Sequence, residues 1–460
     1  MCGRGEIMHI VSNYIFDSGR LIIYKSNVDK EPIDAINSAF EIDVDYKTIL
    51  SDLTRLNSDE MHMDKIAINE IGICLTYNCN LRCNYCGYSS SDRDKYKLQL
   101  SDVKIFIKDS IKKRAIKKLL TKKNEPFTIS FTGGGEPTYD WDLLKNTVIF
   151  IKQQCAENNI PVYLKMTTNG VLLSEQIAFI AENFNELMIS YDGLPETQNL
   201  NRISPNLKDT NSAVEHSIRE FTKRGVPLNI RTTIWQNDYP KIKEMYYHIF
   251  SLVPEDSKVT WSIYPTLFEG RAAKRIKQQE DRTYKAFLFY YIDLVEHIIS
   301  EKGEEKIKTV DVPLLNNDVC GLFCGAYRLN HPWLLPDKSI ITCIEYKDAK
   351  VVIGKINNGK LEYFEKYCDE FLKISQEKYV ACRSCIAYRF CRGGCPVWHL
   401  RRNTEINEPL ECHLQKAYWK YILEAVLLGK YSFGWHLEKI DLPNIKEQEI
   451  FKLVKTTKVS

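Results

Sequence analysis

Residues 71–86 read IGICLTYNCNLRCNYC, an apolar run that leads directly into a short loop with three cysteines. The run at 71–75 predicts a buried strand. The cysteines follow it with Cys-x3-Cys-x2-Cys spacing: Cys79, Cys83 and Cys86. Iron–sulfur clusters are normally held by four thiolates, so three cysteines either recruit a fourth ligand or leave one iron open to a small molecule. The alternative is a zinc site completed by Cys74, because zinc prefers four closed ligands.

Length and composition limit the class of protein. The chain has 460 residues, 44% of them hydrophobic, which predicts a globular protein of two or three domains. Lys and Arg number 63 against 60 Asp and Glu, and the net charge of +3 gives no support for nucleic acid binding. No apolar run is long enough to cross a bilayer, and the first residues, MCGRGEIMHI, lack the apolar core of a signal peptide. We therefore expect a cytoplasmic protein that binds neither nucleic acid nor membrane.

The chain contains fifteen cysteines. In a protein without a secretion signal they indicate metal binding, because cytosolic thiols stay reduced. Besides the loop at 79–86, a second group lies towards the C-terminus: Cys320, Cys324, Cys343, Cys382, Cys385, Cys391, Cys395 and Cys412. Four more stand alone and are interpreted most simply as small buried hydrophobes or idle thiols: Cys2, Cys74, Cys155 and Cys368.

The central part of the chain alternates short β-branched or apolar runs with longer helical patterns, which is typical of βαβ units and a parallel sheet. Strands are predicted near 71–76, 127–132, 162–168, 186–191, 228–234 and 259–264. Helices are predicted at 100–120, 141–156, 174–183, 210–224, 239–252 and 282–300. This pattern predicts an α/β fold, a partial (β/α)6 TIM-like barrel, and such barrels place their chemistry at the carboxyl ends of the strands.

The predicted domain limits follow from the same patterns. A small N-terminal module occupies 1–68, with a hairpin (strands 9–16 and 19–24, turn at 17–19) and helices near 31–40 and 45–56. The barrel then occupies 69–305, the cysteine-rich region 306–425 and a tail 426–460.

Three glycine- and asparagine-containing segments follow predicted strands. They are Thr132-Gly-Gly-Gly-Glu-Pro137, Thr167-Thr-Asn-Gly170, and Ser190-Tyr-Asp-Gly193 with Asn201-Arg202 downstream. Consecutive glycines let a backbone approach a ligand closely. Together with the cysteine loop, these segments resemble the radical S-adenosylmethionine (SAM) superfamily, whose loop has the CxxxCxxC spacing and an aromatic residue before the last cysteine, here Tyr85.

The resemblance implies where the cofactor binds. In that family the amino and carboxylate groups of SAM chelate the open iron of a [4Fe-4S] cluster. The segment that lines the amino group corresponds to Gly134, Gly135, Glu136 and Pro137. Ser190 would contact the ribose, and Arg202 would pair with the methionine carboxylate.

Asn169 and Asp192 belong to the same resemblance, while Arg231 and Thr233 on the fifth strand could line the pocket. Two alternatives stay open. Arg202 could form a surface salt bridge, and the Asn169-Gly170 pair could be an ordinary turn.

The C-terminal cysteines resemble the seven-cysteine SPASM extension of radical SAM enzymes, with Cys320 as an eighth ligand. The family usually has Gly where Lys338 stands here, which should change only a turn. The resemblance implies two auxiliary [4Fe-4S] clusters, one held by Cys320, Cys324, Cys343 and Cys395, the other by Cys382, Cys385, Cys391 and Cys412. A zinc ribbon is the alternative.

The combined resemblance implies three [4Fe-4S] clusters and an oxidation of a C–H bond. One electron, from a donor such as a flavodoxin or ferredoxin, cleaves SAM to methionine and a 5′-deoxyadenosyl radical, which removes a substrate hydrogen atom. The fully ligated auxiliary clusters would take the leftover electron.

The first hypothesis for the substrate is a ribosomally made peptide that receives a C–S, C–C or C–O crosslink. Residues 1–68 support it, because peptide maturases of this family often carry a small domain to which the leader adds a strand.

The alternative is an anaerobic sulfatase-maturing enzyme, which oxidises Ser or Cys to formylglycine. Those enzymes carry an Asp base directly after the third auxiliary cysteine, where this chain has Ile344. Glu345, one residue further, is the candidate general base, although it could equally be a surface carboxylate. A redox protein that binds clusters without turnover is a third possibility.

Overall fold

The computed structural model describes residues 68, 70–88, 95–121, 124–266, 280–303, 306, 309–311, 331–344 and 352–364, and the backbone of 8–11, 14–17 and 22–25. Several sequence predictions lie outside the described residues. These are the helices near 31–40 and 45–56, the tail 426–460, and Cys2, Cys320, Cys324, Glu345, Cys368, Cys382, Cys385, Cys391, Cys395 and Cys412.

The N-terminal segment forms a three-stranded antiparallel sheet of β1 (Met8–Val11), β2 (Tyr14–Asp17) and β3 (Ile22–Lys25). The prediction of one strand over 9–16 was wrong, because β1 and β2 pair with each other and Val11 lies opposite Tyr14. Only Ser12 and Asn13 separate the two strands, and both residue types favour turns.

The main sheet has eleven strands within the described residues, in the order β10-β9-β8-β7-β6-β5-β4-β11-β12-β13-β14. The strands are β4 (Glu70–Ile73), β5 (Phe127–Phe131), β6 (Val162–Thr168), β7 (Glu186–Ser190), β8 (Leu228–Ile234), β9 (Val259–Pro265), β10 (Val310–Asp311), β11 (Trp333–Leu334), β12 (Ser339–Ile341), β13 (Val352–Asn357) and β14 (Lys360–Tyr363). Strands β4 to β9 are parallel to their neighbours. The predicted six strands and the partial (β/α)6 barrel are confirmed.

The helices are α1 (Leu100–Thr121), α2 (Trp141–Glu157), α3 (Ser174–Asn183), α4 (Pro195–Asn201), α5 (Thr210–Lys223), α6 (Ile242–Ser251) and α7 (Glu280–Lys302). All six predicted helices are present, with ends within three residues of the prediction. The sequence analysis missed α4, whose Pro195 at the first helical position was the available signal. None of the helices in the described ranges is both long and apolar enough to span a lipid bilayer.

Strand β8 shows how each strand has one face packed against the helices and one face that lines the inside of the barrel. Leu228, Ile230 and Ile234 are buried, while the alternating residues Arg231 and Thr233 are only partly buried. Because successive side chains of a strand point to opposite faces, the apolar set packs under the helices and the polar set lines the inside of the barrel.

The four strands β11–β14 extend the sheet beyond β4. Strand β11 lies parallel to β4, and the strands after it are antiparallel. Lys338, in the turn before β12, adopts a φ of 69°, which explains why glycine is usual there. Its ammonium group lies 3.1 Å from the Asp102 carboxylate in the first turn of α1. The departure therefore adds a contact to the barrel as well as changing a turn.

Candidate active site

The cysteine loop lies at the carboxyl end of β4 and is held by backbone hydrogen bonds to the segment after β7. The N–H of Arg82 donates to the carbonyl of Ile203 (2.6 Å), and the N–H of Asn84 donates to the carbonyl of Asn201 (2.9 Å). Through these bonds the loop carries its three partly buried thiols across the end of the barrel: Cys79, Cys83 and Cys86.

The electrostatics of the loop fit a metal cluster. Burial, together with the neighbouring thiols Cys86 and Cys79, raises the pKa of the Cys83 thiol to about 12 against the opposing effect of Arg202. Burial likewise raises the pKa of Cys79, although the backbone N–H of Leu81 donates to its sulfur at 3.3 Å. The Cys79 and Cys83 thiols therefore ionise readily only beside a positive charge, which iron supplies. The donor set therefore fits the iron–sulfur cluster predicted from the spacing.

Cys74 does not join this group. Its thiol is buried and donates to the carbonyl of Gly133 at 3.2 Å. Within the described part of the chain, no three His, Cys, Asp or Glu side chains are arranged to hold a single metal ion. Cys155 is also buried, in α2. The interpretation of these two cysteines as buried hydrophobes is confirmed.

The glycine segment after β5 packs against the cysteine loop. The N–H groups of Gly135 and Glu136 donate to the carbonyls of Thr76 and Asn78, both at 2.8 Å. A Cβ atom on Gly135 would lie 1.8 Å from the carbonyl oxygen of Asn78. The close approach that this glycine permits is therefore to the cysteine loop, a neighbour that the sequence analysis did not identify.

Glu136 is buried and connects two strand ends. Its carboxylate accepts hydrogen bonds from the Thr168 hydroxyl (2.8 Å), the Asn169 N–H (2.7 Å) and the Thr138 hydroxyl (3.0 Å). Burial raises the pKa of Glu136 despite these bonds. The Asn169 side-chain amide donates in turn to Asn80, next to the first loop cysteine (2.6 Å). The Asn169-Gly170 pair is thus a turn that also supports the loop.

Asp192, Arg202 and Tyr85 form a buried cluster at the end of β7. The Arg202 Nε lies 2.9 Å from Asp192 Oδ1, with side-chain exposures of 7% and 1%. The Tyr85 hydroxyl donates to both Asp192 oxygens (2.8 and 2.6 Å), and the guanidinium lies 5.3 Å from the Tyr85 ring centroid. Burial raises the pKa of Asp192, and Arg202 opposes the shift. The surface salt bridge considered for Arg202 is therefore excluded.

The remaining predicted residues complete the same end of the barrel. Ser190 ends β7 on its partly exposed face, and Pro137 begins a short 3-10 turn after the glycine segment. The N–H of Thr233 on β8 donates to Asp192 Oδ1 at 3.4 Å. The fold therefore brings the predicted cofactor residues together at the carboxyl ends of β4 to β7.

A second buried network lies behind this end and was not predicted. The Tyr191 hydroxyl donates to Asn211 (2.8 Å) and to Glu215 (3.1 Å), and His248 Nε2 lies 2.9 Å from Glu215. Arg219 pairs with the other Glu215 oxygen at 2.9 Å. Tyr191 stands between Ser190 and Asp192 in the motif, so its side chain must point to the opposite face of the sheet from theirs. That alternation was the available signal for this network.

Cys343, one of the predicted auxiliary ligands, is partly buried in the described segment 331–344. The Tyr88 hydroxyl donates to the carbonyl of the next residue, Ile344. Ile344 is buried, and a Cβ atom on Gly133 would lie 2.2 Å from its side chain. The residue after Cys343 is therefore packed between the glycine segment and the cysteine loop.

Comparison with known proteins gives consistent relatives. Residues 73–246 match the family model of the Radical SAM superfamily. The cysteine-type anaerobic sulfatase-maturating enzyme of Clostridium perfringens is 26% identical over 381 residues, 76% of this chain and 94% of the relative. The enzyme of the same description from Clostridium novyi is 24% identical over 350 residues, 72% and 87% of the two chains.

Two solved structures align with most of this chain. Native anSMEcpe with bound AdoMet and Cp18Cys peptide gives a TM-score of 0.58 at 21% identity, covering 84% of this chain and 99% of the other. Streptococcus suis SuiB bound to S-adenosylmethionine gives 0.48 at 16% identity, covering 83% and 81%.

Proposed function

Because the chain is a radical SAM enzyme, we propose that it removes a hydrogen atom from a residue of a peptide or protein substrate, and that the reaction is that of its sulfatase-maturating relatives. The observation that carries this proposal is the alignment with such an enzyme over 94% of the relative's length. The similar anSMEcpe structure holds AdoMet and a peptide. Crosslinking of a ribosomal peptide, the first hypothesis from the sequence, becomes the second candidate.

In this proposal, SAM and a [4Fe-4S] cluster supply the radical chemistry when bound. The cluster would be held by the loop thiols Cys79, Cys83 and Cys86. Asp192 occupies the Nε of Arg202, so the terminal guanidinium nitrogens are the donors we assign to the methionine carboxylate. Glu136 holds Thr168 and Asn169 in place. In this proposal Glu136 holds the cysteine loop in position relative to the amino group of SAM.

The oxidation must also release one electron after the hydrogen atom has left the substrate. We assign this electron to two auxiliary [4Fe-4S] clusters held by the eight C-terminal cysteines. The spacing of these cysteines, which resembles the SPASM extension, supports the assignment. Anaerobically reconstituted protein should then contain about twelve irons, and replacing the three loop cysteines by Ala should leave about eight. About four irons with stoichiometric zinc would contradict the auxiliary clusters.

One observation favours the second candidate. Sulfatase-maturing enzymes, as noted above, have an Asp base after the third auxiliary cysteine, but here Ile344 is buried against Gly133. An isoleucine cannot take the proton from a substrate thiol or hydroxyl. A C–C crosslink, in which no thiol or hydroxyl proton leaves, would not need a carboxylate at this position.

The test uses reduced, reconstituted enzyme with SAM and the Cp18Cys peptide, with a Cys→Ala version of the peptide as control. We expect 5′-deoxyadenosine and an aldehyde in the peptide that hydrazine traps. Ile344→Asp should raise the aldehyde yield if a base is all that is missing. If both the wild type and Ile344→Asp release 5′-deoxyadenosine but form no aldehyde, the crosslinking candidate would be favoured. No deoxyadenosine under any condition would indicate a redox protein.

A further inference from the structure

Arg231 is the feature of the barrel interior that the cofactor site leaves unused. It lies on the inner face of β8, in register with Ser190 on β7 and Ser262 on β9. Its side chain is partly buried. Among the described residues it makes no hydrogen bond or ion pair, and its one contact with another charged or aromatic group is with the Tyr264 ring, 4.1 Å from the guanidinium carbon to the centroid.

Stacking of this kind prepares a guanidinium for a ligand. The aromatic face holds the planar group by a cation–π interaction, and the N–H groups at its edge can still bind a carboxylate with two parallel hydrogen bonds. Lysine would lack both the plane and the fork. The Arg231–Tyr264 pair therefore offers directional donors to an anion inside the barrel.

The other charged groups described on this inner face have partners. Lys165 lies 3.1 Å from Glu186, and Glu70 accepts a hydrogen bond from Ser130 at 3.0 Å. A partly buried charge without a counter-ion is costly. Within the described residues, Arg231 is the charged group on this wall that remains available to the carboxylate of a ligand.

The position of Arg231 beside the cofactor site indicates which ligand this is. Thr233, two residues further along β8, donates to Asp192 in the cofactor layer. Arg231 itself is in register with Ser190, the residue assigned to the ribose, and its guanidinium lies against Tyr264, which is in register with Thr233. The guanidinium therefore lies beside the ribose end of the cofactor site. Arg202 is already assigned to the methionine carboxylate of SAM, and the substrate must approach the ribose end of SAM to lose a hydrogen atom, so the carboxylate left for Arg231 is one on the substrate.

We propose that Arg231, held by Tyr264, binds a carboxylate of the peptide substrate, supplied by an Asp or Glu side chain or by a C-terminus. The proposal rests on the peptide substrate proposed above. It gives Arg231, which the sequence analysis placed in the cofactor pocket, a role towards the substrate at the edge of that pocket.

The experiment measures binding to the holoenzyme saturated with SAM by titration calorimetry. The probes are three tripeptides: acetyl-Ala-Glu-Ala-amide, acetyl-Ala-Gln-Ala-amide, and acetyl-Ala-Gln-Ala with a free C-terminus. We expect at least one carboxylate probe to bind about tenfold or more tightly than the neutral one, as for a charge-assisted hydrogen bond. The preferred probe identifies the source of the carboxylate.

Arg231→Gln should abolish the preference, and Arg231→Lys should keep part of it. Arg224→Gln, which removes an exposed arginine paired with Glu220, should keep all of it. SAM affinity, measured without probe, should be unchanged in Arg231→Gln. A preference that survives Arg231→Gln would overturn the proposal, and so would a loss of SAM affinity with no probe preference in the wild type.

The two proposals can fail separately. Wild-type enzyme that cleaves SAM and prefers a carboxylate probe, but forms no aldehyde or crosslink in any peptide, would contradict the proposed function and leave the carboxylate site intact. Peptide modification without a carboxylate preference would contradict the site alone.

Discussion

Two regions of the barrel treat buried charge in opposite ways. At the carboxyl ends of β5 to β7, Glu136 accepts hydrogen bonds from three residues, and Asp192 accepts them from Tyr85, Arg202 and the Thr233 N–H. On the inner face of β8 and β9, Arg231 contacts only an aromatic ring among the charged and aromatic groups described. The first region uses its charges to fix the shape of the site, and the second keeps a charge available for a ligand.

The largest test of this comparison replaces Asp192 and Arg231 in parallel. Asp192→Ala leaves the Arg202 charge buried without its partner, and we expect a loss of about 3–5 kcal/mol of unfolding free energy. Arg231→Ala breaks no ion pair in the described structure and should cost less than about 1 kcal/mol. Urea unfolding of the apoprotein, followed by circular dichroism, measures both. Equal losses would remove the distinction between the two regions.

A second test concerns the packing of the first region against the cysteine loop. A Cβ on Gly135 would meet the backbone of Asn78, and overpacking of this kind costs about 1–3 kcal/mol. Gly135→Ala should also lower the iron bound after reconstitution, because the loop must shift. The matched control is Gly87→Ala in the same loop, where a Cβ would meet nothing within 4 Å. Similar iron contents in the two variants would contradict the packing argument.

A third test concerns the network around Glu215, which lies behind the first region. Burial favours a higher pKa for Glu215, but hydrogen bonds from His248, Asn211, Arg219 and Tyr191 lower it below the ordinary 4.5. The stabilisation is therefore present above pH 4.5 and is lost as the pH falls through the lower folded value. Glu215→Gln should cost about 1.5 kcal/mol at neutral pH, and the difference from the wild type should shrink in acid. Melting temperatures across that range measure it, and a constant difference would contradict the shift.

The smallest expected effect is at Lys338, where β11 and β12 dock beside the first region. A left-handed backbone costs a non-glycine residue about 1–2 kcal/mol, whereas the half-exposed pair with Asp102 contributes at most about 1 kcal/mol. Lys338→Gly should therefore be about as stable as the wild type. Lys338→Ala, which loses the pair and keeps the strain, should melt below both. An equal melting temperature for the Ala and Gly variants would show that the turn is unstrained.

The sequence by itself determined the parts of this protein that are local along the chain. The cysteine spacing, the strand–helix alternation and the motifs after β5, β6 and β7 are contiguous patterns, and the barrel and the grouping of the predicted residues at one end follow from them. The seven-residue α4 and the break between β1 and β2 were not predicted, because such short elements have little periodicity to detect.

Only the tertiary structure decided how the charges are used. Arg202 follows the predicted strand 186–191 and Arg231 lies within the predicted strand 228–234, but no local pattern shows that the first has Asp192 as its partner and the second stacks on Tyr264. The reason for Gly135 lies in Asn78, more than fifty residues away in the chain. Pairing, burial and close approach depend on which strands become neighbours, and that information is carried by long-range contacts instead of sequence spacing.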